Sequence, residues 1–150
     1  MSTPHDSRPG FPGASFEEKS VWLQLTATVL ALGAYFVIAG RMMSAGVNQL
    51  AAYVPLFIAA VVVQVVVLIA GHAAAAVLSR PEPRDERDRL IGWRAESNSG
   101  WVLATGVLAA ITALVFSLEA VWVAHLLLGS LLLSQVLSFV LQLVYYRRGV

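Results

Sequence analysis

The chain has 150 residues, of which 58 % are hydrophobic and 13 % charged, with a net charge of +1. Soluble domains carry about 25 % charged residues, so the polar surface here is too small to cover a globule in water, which argues against an ordinary soluble domain. Cysteine is absent, which removes disulfides, thiolate metal sites and thiol catalysis.

The ten basic and nine acidic residues are segregated along the chain. Positions 20–40, 42–79, 97–118 and 120–146 hold no Lys, Arg, Asp or Glu, and only Arg41 and Glu119 interrupt the first and last pairs of these stretches. Each stretch reaches the ~20 residues that a helix needs to cross a bilayer. The expected fold is therefore an all-α integral membrane bundle of four transmembrane helices over about 21–39, 53–78, 98–116 and 121–145, forming one domain over 20–150.

Residues 1–19 contain Pro4, Pro9, Pro12, Gly10 and Gly13 among polar residues and read as a disordered cytoplasmic tail with an interfacial piece at 16–19. They do not read as a signal peptide, because the apolar run that follows is too long and lacks a small-residue cleavage site. Trp22 and Arg41 bracket the first span as interfacial anchors. A loop over 42–49 with Gly46 leads to the second span, where Pro55 falls in the first turn and its missing N–H leaves no bond unmade.

The charged region 80–96 follows, opening on Pro81 and Pro83. Residues 84–96 are expected to form a short cytoplasmic amphipathic helix at the membrane surface, with Arg84/Asp88 and Asp85/Arg89 as i,i+4 pairs and Leu90, Ile91 and Trp93 on its apolar side. Only 117–120 separate the third and fourth spans, so these form a tight antiparallel hairpin. Nine of the ten Lys and Arg residues fall in the tail, the 80–96 loop and the C-terminal end, against Arg41 alone on the other side. The positive-inside rule then places both termini in the cytoplasm of a multi-pass cell-membrane protein.

Small residues let helices approach closely in lipid. They form rows in the third span (Gly100/Ala104, Gly106/Ala110, Thr105/Ala109/Ala113/Ser117), which marks it as the expected central helix. Similar rows are Gly71/Ala75/Ser79 in the second span and Ala27/Ala31 in the first. They serve intramolecular packing or a homodimer face.

Two sets of residues are the candidate functional groups. Gln64 and His72 on the second span, with Ser134, Gln135, Ser138 and Gln142 in a stripe on the fourth, would line a polar small-molecule cavity; the alternative is interhelical hydrogen bonding. Asp85, Glu86, Asp88 and Arg89, with Arg94, Arg147 and Arg148, would form a cytoplasmic clamp in which carboxylates meet the arginines, as against a solvated face, contact with anionic headgroups or a docking site. His72 and His125 invite a haem reading. At the helical rise they lie roughly 9 Å and 6 Å from opposite ends of their spans, so in a ~30 Å core their depths differ by roughly 15 Å. A shared haem is disfavoured, and no cofactor or metal is expected. No span holds an ionisable Asp, Glu, Lys or Arg, which lowers an ion-coupled transporter. No serine has a His–Asp partner in reach and no phosphate loop occurs, so no catalytic residue and no enzyme are expected.

The string Asp85-Glu86-Arg87-Asp88-Arg89-Leu90-Ile91, followed by Arg94-Ala95 and by Leu143-Val144-Tyr145-Tyr146-Arg147-Arg148-Gly149, resembles a family of small prokaryotic four-helix integral membrane proteins of unknown function. These share a "DERD" segment before the third span and a "YYRRG" C-terminus. The likeness covers about 50–150 and departs at the entry to the third span, where this chain reads Ser97-Asn98-Ser99-Gly100-Trp101. It implies membrane location and fold but no activity; genes for small helix-turn-helix regulators beside members hint at signalling. The leading expectation is a non-enzymatic, regulatory or sensory membrane protein acting through protein–protein contacts. A small-molecule or lipid binder using the polar stripes is the alternative, and a haem-binding membrane protein comes third. Expected partners are the lipid bilayer, a second copy in a homodimer, and a cytosolic or membrane protein; nucleic acid is not among them.

Overall fold

The computed structural model describes residues 16–78 and 85–148. Among these residues the fold has four helices, α1 (Phe16–Ser44), α2 (Val54–Leu78), α3 (Glu86–Val115) and α4 (Ala120–Arg148), with a 3₁₀ turn at Leu50–Tyr53 before α2. All four are long and apolar enough to cross a membrane. The expected tail over 1–15, the Pro81/Pro83 break and the Arg84/Asp88 pair lie outside the described residues. Residues 16–19, assigned to that tail, are instead the first turn of α1, where Glu17 and Glu18 suit the positive end of the helix dipole.

The loops follow from local chemistry. α1 runs past Arg41 to Ser44 and stops at Gly46, whose φ of +83° is cheap only for glycine. The amide of Val47 returns to the Met42 carbonyl and closes the helix end. Pro55 sits in the first turn of α2, as its place in the sequence predicts. Residues 116–119 make the expected tight hairpin. Ser117 takes φ 57°, and Leu118 N donates to Ala113 O, capping the end of α3.

The charged segment does not form a separate surface helix. It is the first part of one continuous 30-residue helix, about 45 Å long against a ~30 Å hydrocarbon core. Nothing in 86–115 is a proline, so Ser97-Asn98-Ser99-Gly100 stays helical, and Ser99 Oγ donates back to Glu96 O. Asp85 starts the helix. Its carboxylate accepts from Glu86 N at 2.6 Å, and its own amide donates to Asp88 Oδ2 at 3.1 Å, a capping box.

Packing sets the helix order α2–α1–α4–α3: α2 packs mainly on α1, α3 on α4, and α1 on α4. The third span is therefore an edge helix, not the central one. Its buried residues, Ile91, Ala95, Ser99, Gly106 and Ala110, lie on a single stripe against α4, while Ala104, Thr105 and Ala109 are exposed. Gly106 lets the backbones meet, since a Cβ there would overlap Ser130. The best-buried cluster sits at the opposite end of the fold from the charged segment, where Tyr35 and Ala39 of α1, Tyr53 and Val121 come together.

Candidate functional site

Polar side chains on α1 organise the interior. Ser20 Oγ lies 2.9 Å from His72 Nε2, Gln64 Nε2 donates to Thr28 Oγ1 at 3.0 Å, and the Tyr35 hydroxyl lies 2.9 Å from His125 Nε2. In both histidines Nδ1 faces the carbonyl four residues back: Leu68 O at 2.8 Å and Val121 O at 2.7 Å. A carbonyl only accepts, so Nδ1 carries a proton, and in that tautomer Nε2 accepts from the hydroxyl. Each histidine is thus saturated by one backbone carbonyl and one α1 hydroxyl.

The two anchors differ in surroundings. His125 is 7 % exposed and Tyr35 2 %. The His125 ring lies nearly parallel to Tyr35, with Tyr53 edge-on at 4.8 Å. The Tyr53 hydroxyl is held separately by Val47 O at 2.6 Å. His72 is only half-buried, and Ser20 also accepts from Gln24 Nε2 at 3.3 Å. Ser20 and Tyr35 stand fifteen residues apart on one helix, about 22 Å along its axis. The two histidines are thereby held at opposite ends of α1.

The residues expected to share one cavity are divided by α1. Gln64 and His72 turn to α1 hydroxyls, and Ser134 Oγ donates to Ser99 O on α3 at 3.1 Å. Gln135, Ser138 and Gln142 line a polar recess of about 450 Å³ between α1, α3 and α4. α1 contributes Glu17 and Gln24. α3 contributes Asp88, Arg89, Gly92, Trp93 and Glu96, all on one face, and Phe139 and Tyr146 complete the α4 wall. This recess joins part of the expected polar stripe to part of the expected charged clamp.

The clamp itself uses different partners. Among the described residues no salt bridge joins Asp85, Glu86 or Asp88 to Arg94, Arg147 or Arg148, nor Asp85 to Arg89. Asp85 and Asp88 are engaged in the capping box, and Asp88 Oδ1 accepts from the Tyr146 hydroxyl at 3.0 Å. Asn98 donates to the Tyr145 hydroxyl at 2.9 Å. Arg147 pairs with Glu18 of α1 at 3.8 Å, and since the arginine is largely exposed this pair contributes little. Arg94 and Arg148 are exposed. The tie between the start of α3 and the end of α4 is therefore made by tyrosine hydroxyls, not by arginines: a hydroxyl leaves a hydrogen-bonded carboxylate in place without needing a second charge to be desolvated.

Ser20, Thr28 and Tyr35 were not singled out from the sequence. The signal was present, as hydroxyl groups at i, i+8 and i+15 in an uncharged run return to nearly one face of a helix. Trp93 and Glu96 were likewise read as parts of the amphipathic segment rather than as recess lining. No protein-family model, curated protein or solved structure matches this chain.

Proposed function

We propose that the chain is a multi-pass membrane protein with both termini in the cytoplasm, and that it binds a small polar ligand, without catalysis, in the recess between α1, α3 and α4. The observation that carries this reading is the recess itself: α4 turns three uncharged polar side chains, Gln135, Ser138 and Gln142, towards a face of α3 that holds Asp88, Arg89 and Glu96. Four long apolar helices and the nine-to-one division of basic residues support the membrane placement. The resemblance carried by 85–91 and 143–149 supports it as well. Binding fits better than chemistry because Ser138 accepts from the Gln142 amide and Asp88 is already engaged by Tyr146.

The test uses the absence of cysteine from the chain. Gln135→Cys, in membrane vesicles open at the cytoplasmic face, reacts with a small charged thiosulfonate much faster than Val66→Cys on the apolar face of α2. Equal, slow reaction at the two positions refutes an open polar recess.

α2 favours a second reading, a protein–protein contact within the membrane. None of the residues in its apolar window is buried and it packs mainly on α1, so it offers a helix face to a second copy or to another membrane protein. Val62→Cys, exposed on that helix, forms a disulfide-linked dimer on mild oxidation in membranes if the partner is a second copy.

A further inference from the structure

We propose that the recess takes a zwitterionic phosphoammonium group, the chemistry shared by phosphatidylethanolamine and phosphatidylcholine headgroups and by soluble phosphoethanolamine. This rests on the reading of the recess as a ligand site and names the class of ligand.

Arg89, Trp93 and Glu96 stand at i, i+4 and i+7 on α3 and all line the recess. Neither Arg89 nor Glu96 forms a salt bridge among the described residues. Two turns, about 10 Å of rise, separate them, beyond the i,i+4 reach at which helix neighbours pair. A guanidinium and a carboxylate therefore bracket an indole that is 70 % exposed. The forked donors of a guanidinium match a phosphate. The carboxylate and the indole face together suit an ammonium group. A simple anion would meet Arg89 but also the carboxylates of Glu96, Asp88 and Glu17, and a simple cation would meet those carboxylates but also Arg89. A zwitterion satisfies both ends.

The opposite wall is consistent with a ligand of no net charge. α4 offers the Gln135 and Gln142 amides, which donate and accept without adding charge. Asp88 is turned to its own helix start and to Tyr146, so it shapes the recess while Arg89 and Glu96 meet the ligand. The recess runs from the first turns of α3 along α4 as far as Gln135. In the proposed orientation its α3 side, Arg89 to Glu96, precedes the third span and lies in the headgroup zone of the cytoplasmic leaflet, where Trp93 and Tyr146 are at home, while its α4 wall reaches into the fourth span.

The experiment is native mass spectrometry of the full chain in detergent, with equimolar phosphatidylethanolamine, phosphatidylcholine and phosphatidylglycerol. The expected result is retention of one or both zwitterionic lipids about tenfold above phosphatidylglycerol. Arg89→Gln and Glu96→Gln, both exposed and harmless to the fold, each lower that retention about tenfold, equivalent to about 1.4 kcal/mol. Displacement of the lipid by O-phosphoethanolamine identifies a soluble source for the group; no displacement, with lipid retention intact, identifies the lipid. Retention of phosphatidylglycerol at or above the zwitterions, or retention indifferent to both substitutions, overturns the proposal. If Gln135→Cys is meanwhile open to the thiosulfonate, only the ligand class has failed; if it is closed, the recess reading has failed too.

Discussion

Removing the Tyr35 hydroxyl isolates the better buried of the two histidine anchors. In Tyr35→Phe the ring stays and His125 Nε2 loses its donor, while Nδ1 keeps Val121 O. Leaving a buried polar atom unsatisfied costs about 1–3 kcal/mol. Interhelical hydrogen bonds in membrane proteins average only about 0.6 and reach about 1.7 kcal/mol. Both partners here are almost wholly enclosed, and Tyr53 cannot substitute because its hydroxyl is committed to Val47 O. The loss therefore falls near the top of the membrane range, about 1.5 kcal/mol. Ser20→Ala makes the same change at His72, but that ring is half-buried, and Gln24, now bonded to Ser20, can swing its amide towards Nε2. Its cost stays below about 0.6 kcal/mol. The assay is reversible unfolding of the full chain in mixed micelles of rising dodecyl sulfate content, followed by circular dichroism. A double-mutant cycle of Tyr35→Phe with His125→Phe isolates the coupling. If Ser20→Ala costs as much as Tyr35→Phe, or if the cycle shows no coupling, burial does not govern these anchors and the reasoning is refuted.

Three further variants and one topology measurement have definite expected outcomes. Gly106→Ala drives a methyl into Ser130, forces α3 from α4 and costs about 1–3 kcal/mol; Ser130→Gly in the same chain restores most of it. Gly71→Ala meets only the flexible end of Leu23, so in the same unfolding assay it costs clearly less than Gly106→Ala. Asp85→Ala breaks the capping box and costs the helix start about 1 kcal/mol, read as faster hydrogen exchange at the amides of Glu86–Arg89 with the exchange of 100–115 unchanged. In the proposed topology, a reporter active only in the cytoplasm works when fused after Val150 and is silent when inserted at Gly46; the opposite result at either site breaks the four-span orientation.

The sequence by itself determined that four long apolar helices form and where α2 and the α3–α4 turn lie, but not that the segment 86–96 belongs to α3 or that α1 begins at Phe16. Charge-free runs of sufficient length have one stable form in lipid, because an unsatisfied backbone there is too costly. Pro55, Gly46 and the short 116–119 connection are local features, and their geometry follows from residues adjacent in the chain. Only the tertiary structure decided which helices touch. All four are apolar on nearly every side, so hydrophobicity points to no inward face. The small residues of α3 could not reveal that one stripe, Gly106 with Ala110, meets α4 while the rows beside it stay exposed. For the same reason α1, which joins His72 and Gln64 on α2 to His125 on α4, was not recognised as the organising helix. The partners of Asp88 and Arg147 were also beyond the sequence. Tyr146, Arg147 and Arg148 are neighbours in the chain, but α4 turns about 100° per residue, and the packing of α1 and α3 on α4 sends the hydroxyl to Asp88 and the guanidinium to Glu18.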